Sequence, residues 1–330
     1  MLDADELPDR TGAERLKSLV DDLVSRPESA DLRERVRSLL PVLHELRAVG
    51  KALLPEDADL SGRDRILKYL QRYPLTVIEG DELLLISGIG DWARRVRELR
   101  VQRGWAIFSG VTFKEMAADA PYVAKELATA LNVDPATLRT DHYVLMSTER
   151  DREAADRWHL LNSIRKLKRV SVKERILRYL RENVGQPVTS EELRYLAGNA
   201  SDWPRRTREL RTVDGWPVFT SMQGRPDLAI GTYVLDEDRQ APPHDRRVKD
   251  EVRIQVLERD GYACTACGWT RKQARPDDPR KRLEPHHLIE HAKKGSNEAD
   301  NLTTLCNVDH DRVHAGRLEN IDGRWRAVEH

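Results

Sequence analysis

The chain has 330 residues, of which 39% are hydrophobic and 34% charged, enough for two or three domains with cores of their own. No apolar run has membrane-crossing length and no basic-then-apolar leader is visible, so neither a membrane nor a secreted protein is expected. Lysine plus arginine equals aspartate plus glutamate at 56 each, and a formal charge of zero, taken alone, weighs against a nucleic-acid partner.

Residues 1–60 carry nine basic and fourteen acidic residues and read as helical. Leu16, Leu19, Val20 and Leu23 form one apolar stripe; Leu32, Val36, Leu39, Leu40 and Leu43 form another. Pro27 and Pro41 are expected to break this region into short helices suited to dimerisation or docking.

Residues 63–108 recur as 173–219, with an offset of 110 that becomes 111 after one inserted residue. Arg65, Ile66, Leu67, Tyr69 and Leu70 return as Arg175, Ile176, Leu177, Tyr179 and Leu180. Asp91, Trp92, Arg94, Arg95, Arg97, Glu98, Leu99 and Arg100 return as Asp202, Trp203, Arg205, Arg206, Arg208, Glu209, Leu210 and Arg211. Each copy reads as three helices and a hairpin. In the second, Thr189 or Ser190 caps a short helix that Gly198 stops, and Asp202 caps a third helix that tolerates Pro204 in its first turn. On that helix Trp203, Thr207 and Leu210 share one face while Arg205 and Arg208 point away, as Arg94 and Arg97 do in the first copy.

Helix, helix, helix, hairpin is the winged-helix order, in which the third helix enters the DNA major groove. Segment charge agrees: residues 158–220 hold thirteen basic and seven acidic residues, and 61–108 hold nine and six. Arg94, Arg97, Arg205, Arg206 and Arg208 are the candidate DNA contacts, with a solvated helix face as the alternative. Trp92 and Trp203 read as anchors of their helices rather than stacking platforms for a base. The first copy continues further, over 111–146, with a helix expected from Lys114 to Ala130. Residues 151–170 read as a linking helix, and the Pro-rich stretch 240–245 as a joint.

All three Cys, and seven of the ten His, lie from residue 244 onward. Three thiols are too few and too odd in number for a disulfide framework, so a reducing cytoplasm is the expected setting and metal chemistry the better use. Cys264-x-x-Cys267 follows Arg-Asp-Gly-Tyr, then come the pair His286-His287, Asn301-Leu302, and Cys306-x-x-x-His310-x-x-x-His314. On a helix His310 and His314 lie one turn apart on one face, and His286 on an adjacent strand can complete three imidazoles around a metal. Strand alternation sends His287 to the other side of the backbone.

Over roughly 250–318 this array resembles the His-Asn-His (HNH) nucleases, whose fold is ββα-metal. The resemblance implies phosphodiester hydrolysis with His287 as general base, Asn301 fixing the loop that orients it, and His286, His310 and His314 holding the ion. It also implies structural Zn2+ on Cys264, Cys267, Cys306 and Asp309, the last standing where close relatives have a fourth Cys. Many relatives have Asp-His where this chain has His-His, which is similar to the colicin-type branch; a nitrogen-rich site suits Mn2+, Ni2+, Co2+ or Zn2+ as well as Mg2+. Glu284 is placed to support the metal site. Arg246, Arg247, Lys249, Arg253, Lys293 and Lys294 are candidates for holding the phosphate backbone. His244 and His291 lie outside the motif.

The expectation is an α+β multi-domain chain: a helical N-terminal region (1–60), winged-helix module 1 (61–150), a helical linker (151–170), winged-helix module 2 (171–239) and an HNH nuclease domain (240–330). It is expected to be a cytoplasmic, metal-dependent endonuclease of restriction type that acts on double-stranded DNA as a homodimer. No residue decides whether cutting is methylation-directed. The alternatives are a nicking, mobile-element or repair nuclease, an RNA-cleaving enzyme, and a non-catalytic zinc-containing DNA-binding regulator.

Overall fold

The structure is a computed structural model that describes residues 10–25, 31–54, 59–151, 153–241, 248–275, 277–289 and 295–328. The chain divides into two compact units, Met1–Val111 with Leu138–Trp158, and Thr112–Thr137 with His159–His330. Among the described residues no helix is long and apolar enough to cross a membrane.

The first unit begins with α1 (Arg10–Val24) packed on α2 (Leu32–Ala52). Pro27 lies outside the described residues. Pro41, expected to break the region, sits inside α2 instead. The residue is exposed, so water can take up the carbonyl that its missing amide leaves without a partner. Helices α3 (Gly62–Arg72), α4 (Gly80–Ser87) and α5 (Trp92–Val101) follow, with strands β1 (Ile78–Glu79), β2 (Ile107–Ser109) and β3 (His142–Leu145). The strands make an antiparallel sheet in the order β1-β3-β2. Ile66, Leu70, Leu83, Val96, Leu99 and Ile107 form its core.

α6 (Gly110–Asp119) begins at the boundary, and α7 (Pro121–Leu131) lies wholly in the second unit. The expected module 61–150 is therefore divided. Glu115 accepts from Trp203 Nε1 and Arg194 Nε, both at 2.8 Å, and Asp119 pairs with Arg208 at 3.1 Å. These long-range partners hold residues 112–137 to the second copy of the repeat; helical periodicity carries no information about them.

After α8 (Ala154–Arg165) the second copy supplies α9 (Val172–Arg181), β4 (Val188–Thr189), α10 (Ser190–Leu196), α11 (Trp203–Thr212), β5 (Val218–Phe219) and β6 (Thr232–Leu235). Its sheet order, β4-β6-β5, repeats that of the first. The copies also repeat an internal bond: Tyr69 Oη donates to Glu82 at 2.5 Å, and Tyr179 Oη to Glu192 at 2.6 Å. In both, the same glutamate closes the capping box of the next helix. Thr189, not Ser190, is the cap in the second copy. Asp202 holds the N-cap position of α11 without a side-chain cap bond, its carboxylate taking Arg206 Nε at 2.9 Å instead.

The chain ends in α12 (Asp250–Arg259), β7 (Leu283–His287), β8 (Leu302–Cys306), α13 (Asn307–His314) and the hairpin β9 (Leu318–Ile321) and β10 (Arg324–Ala327). Antiparallel β7 and β8 pair His286 with Thr303 and His287 with Leu302. Leu257, Trp269, Leu283 and Leu305 pack beneath them. The second copy is locked to this segment by Arg211, whose Nε donates to Asp250 at 2.8 Å, and by Gly224 (φ 116°), where a Cβ would lie 2.5 Å from the Leu283 carbonyl oxygen.

Candidate active site

Strand β7 and helix α13 deliver the histidines. His286, at the end of β7, meets His310 and His314, one turn apart on α13, and one ring nitrogen of each lies within 4.8 Å of the others. Ring centroids are 4.5–5.4 Å apart and the rings meet edge to face, the splay of side chains converging on one point. Burial, and then the neighbouring His310 and His314 rings, pushes the His286 imidazole down to about 3, so the ring is neutral, as a metal ligand must be. The residues present thus fit a divalent ion.

His287 follows on the opposite side of the strand and is outside this cluster. Its Nε2 lies 2.8 Å from Asn297 Oδ1. Asn301 does not touch it. Instead Asn301 staples the chain on either side of 290–294: its Nδ2 donates to the carbonyls of Ile289 (2.9 Å) and Ser296 (2.8 Å), and its Oδ1 accepts from Ile289 N at 2.9 Å. Gly295 completes the clamp, since a Cβ there would lie 1.8 Å from the Ile289 carbonyl oxygen. Glu284, two residues before His286 on β7, pairs with Arg282, 2.7 Å away. Burial would raise its carboxyl; Arg282, with His310 and Arg253 behind it, outweighs burial and holds it down to about 2.

A second cluster joins Cys264, Cys267, Cys306 and Asp309, whose donor atoms also lie within 4.8 Å of one another. Asp309 Oδ2 is 3.3 Å from Cys264 Sγ and 3.4 Å from Cys306 Sγ, and the Cys267 and Cys306 sulfurs are 3.9 Å apart. Arg312, one turn on, takes the other carboxylate oxygen at 3.0 Å, so Asp309 presents Oδ2 to the sulfurs. Hydrogen bonding from Cys306 pulls the Cys264 thiol down to about 6, while burial pushes Cys267 up to about 11. Four acidic groups this close cannot all ionise unless a cation joins them, and the set could bind a metal.

The predicted DNA-contacting arginines divide between the two units, Arg94 and Arg97 in the first and Arg205, Arg206 and Arg208 in the second. Arg94 and Arg205 occupy equivalent outer positions, with side chains 68% and 62% exposed, and each reaches one carboxylate on its own helix, Glu98 at 3.2 Å and Glu209 at 3.1 Å. Arg206 is shared between Asp202 and Glu209. Arg208 is turned inward to Asp119, while Arg97 is exposed. Part of the repeated Asp-Trp-x-Arg-Arg-x-Arg-Glu pattern is therefore intrahelical ion pairing, legible in the i+3 and i+4 spacing. Trp203 is fully buried with its Nε1 on Glu115, and Trp92 packs partly buried against Tyr143, both as helix anchors. Arg246, Arg247, His244, His291, Lys293 and Lys294 lie outside the described residues. Sequence reasoning passed over Asn297 and Arg312: nothing local marks the first, whereas the i+3 spacing of Arg312 from Asp309 was a usable signal.

A histidine pair ending one strand of a hairpin, closed by a helix bearing two more histidines, defines a nuclease domain of the HNH class. Residues 264–316 match the HNH endonuclease family, and residues 63–146 and 173–236, which contain the two repeat copies, match the KpnI N-terminal domain. No curated protein and no solved structure matches the chain. The chain is an HNH endonuclease of restriction-enzyme-like type, a hydrolase of DNA phosphodiester bonds.

Proposed function

We propose that the chain is a metal-dependent restriction endonuclease in which the two repeat copies read DNA and the C-terminal domain cuts it. The convergence of His286, His310 and His314 within 4.8 Å, with His287 directed to the other side of the strand, carries this reading. A divalent ion held by the three imidazoles would stabilise charge on the scissile phosphate and the departing 3′ oxygen. His287 then acts as general base: with Nε2 donating to Asn297, Nδ1 carries the lone pair that accepts the proton of the attacking water. The water oxygen bonds to phosphorus as the bond to the 3′ oxygen breaks, and that oxygen takes up a proton from solvent, leaving 5′-phosphate and 3′-hydroxyl ends. Asn301 acts indirectly, by fixing the segment that presents Asn297. Cys264, Cys267, Cys306 and Asp309 hold structural Zn2+.

We read each copy as a winged helix, supported by its three helices and its sheet orders β1-β3-β2 and β4-β6-β5. Arg94, Arg97, Arg205 and Arg206 are the DNA-facing cations, and Arg208 holds the α6 end in place. The one histidine cluster among the described residues cuts one strand, so a double-strand break calls for two copies; the exposed Leu32, Val36 and Leu39 on α2 suit a homodimer. The setting is cytoplasmic. Digestion of methylated and unmethylated plasmid with Mg2+, Mn2+, Ni2+, Co2+ or Zn2+, followed by sequencing of the ends, tests this reading. Linear product with 5′-phosphates is expected, and loss of all cutting on unmethylated plasmid would make the enzyme methylation-directed. Nicked product alone, or activity confined to structured RNA, would overturn it.

A further inference from the structure

Beside the histidine cluster lies a pocket of about 260 Å3 that the catalytic assignment leaves unused. Its lining takes Trp216 and Phe219 from the second repeat copy, Arg253 and Arg282 from the nuclease segment, and the metal-site residues His310 and His314. Four arginines line it against two carboxylates, Glu284 and Asp311. Three of the four have partners: Arg211 is paired with Asp250, Arg282 with Glu237 and Glu284, and Arg239 with Asp311. Arg253 is different. Among the described residues its side chain makes no hydrogen bond or ion pair, its Nε is buried without a hydrogen-bond partner, and its guanidinium lies 6.0 Å from the Phe219 ring centroid. Burial, and then the neighbouring Arg211, pull it down to about 10, more than the carboxylates of Asp250 and Glu284 offset. A half-buried cation with no bonded counter-charge is costly and persists most readily where a ligand brings one.

We infer that this pocket binds one backbone phosphate of the cut strand at or next to the cleavage step, with Arg253 as its counter-charge. The second copy, through Trp216 and Phe219, then forms part of the catalytic pocket. This rests on the catalytic reading of the histidine cluster. A phosphodiester fits because it carries a single negative charge and follows the DNA strand to the metal-site histidines; free inorganic phosphate shares that chemistry.

The test is a duplex series carrying one uncharged methylphosphonate at each position across the cut site, with wild type, Arg253→Gln, Arg253→Lys and Arg253→Met. Binding is measured with Ca2+ and cleavage under single turnover. One methylphosphonate position should weaken wild-type and Arg253→Lys binding about tenfold and leave Arg253→Gln unchanged, and Arg253→Gln should cut about 10–100-fold more slowly on unmodified DNA. Arg253→Met should melt no lower than wild type, whereas a purely structural arginine would lower the midpoint. The inference is overturned if every methylphosphonate affects wild type and Arg253→Gln alike, or if inorganic phosphate binds wild type equally well with and without DNA. Because binding is read separately from cutting, a wild type that binds as expected but cuts with no divalent ion would count against the nuclease mechanism and not against this pocket.

Discussion

Replacing Asp250 by Ala should destabilise the second unit strongly, because it strands a charge. Asp250 starts α12 and faces Arg211 of α11; the side chains are 1% and 4% exposed. Arg211 Nε donates to Oδ1 at 2.8 Å, a second nitrogen bonds Oδ2, and Tyr122 of α7 donates to the same carboxylate at 2.9 Å. Burial would raise this carboxyl, and Arg211 outweighs it, holding it below the usual carboxylate range. Deleting one member of a buried pair costs about 3–5 kcal/mol. For a unit of this size each kcal/mol moves the melting midpoint by about 2–4 °C, so the loss should be roughly 6–20 °C in scanning calorimetry. The double variant Arg211→Met with Asp250→Leu should recover most of it. A folded pKa below the unfolded value gives stability that is full above about pH 4 and is lost as pH falls from there through the lower folded pKa, so the gap between wild type and Asp250→Ala should narrow on strong acidification. A midpoint within about 2 °C of wild type at pH 7 would refute the view that α7, α11 and α12 are held through one buried charge pair.

Asn297→Ala removes the 2.8 Å bond at His287 and should lower kcat about 10–100-fold with little change in KM, read by single-turnover cleavage. Gly295→Ala puts a Cβ on the Ile289 carbonyl; displacing the Asn297 segment by about 1 Å should cost about 100-fold in rate while the melting midpoint moves little. Asp309→Ala should lose Zn2+ to a colorimetric chelator about 10–100-fold more readily than wild type, and Asp309→Cys should hold it more tightly; equal release by all three proteins would remove Asp309 from the ligand set. Arg312→Ala should weaken Zn2+ less than Asp309→Ala does, since it only orients the carboxylate.

Much of the architecture is legible where the signal is local. The repeat, a cap at Thr189 or Ser190, the stop at Gly198, the strand carrying His286 and His287, and the helix carrying His310 and His314 all follow from period, cap chemistry and spacing. What escapes is long-range partner choice. Nothing local to α6 and α7 says that Glu115 accepts from Trp203 or that Tyr122 meets Asp250, so residues 112–137 read as an extension of the first copy. Pro41 escapes because local propensity yields to packing in α2. Arg208 has the same spacing as Arg97 yet faces Asp119, a partner from the region the first copy alone contains. Asn297 escapes because a loop has no period from which to deduce direction. The net charge of zero likewise hid an acidic N-terminal region set against basic repeat helices.

The central claim is that His286, His310 and His314 hold the ion while His287 moves the proton. It is tested most directly by comparing His287→Ala with His310→Ala for cleavage and for binding of Co2+, followed by its visible absorption. His287→Ala should retain the Co2+ spectrum and lose about 100–10,000-fold in cutting, while His310→Ala should lose both. A His287→Ala enzyme that cuts like wild type, or a His310→Ala protein that binds Co2+ unchanged, would contradict it.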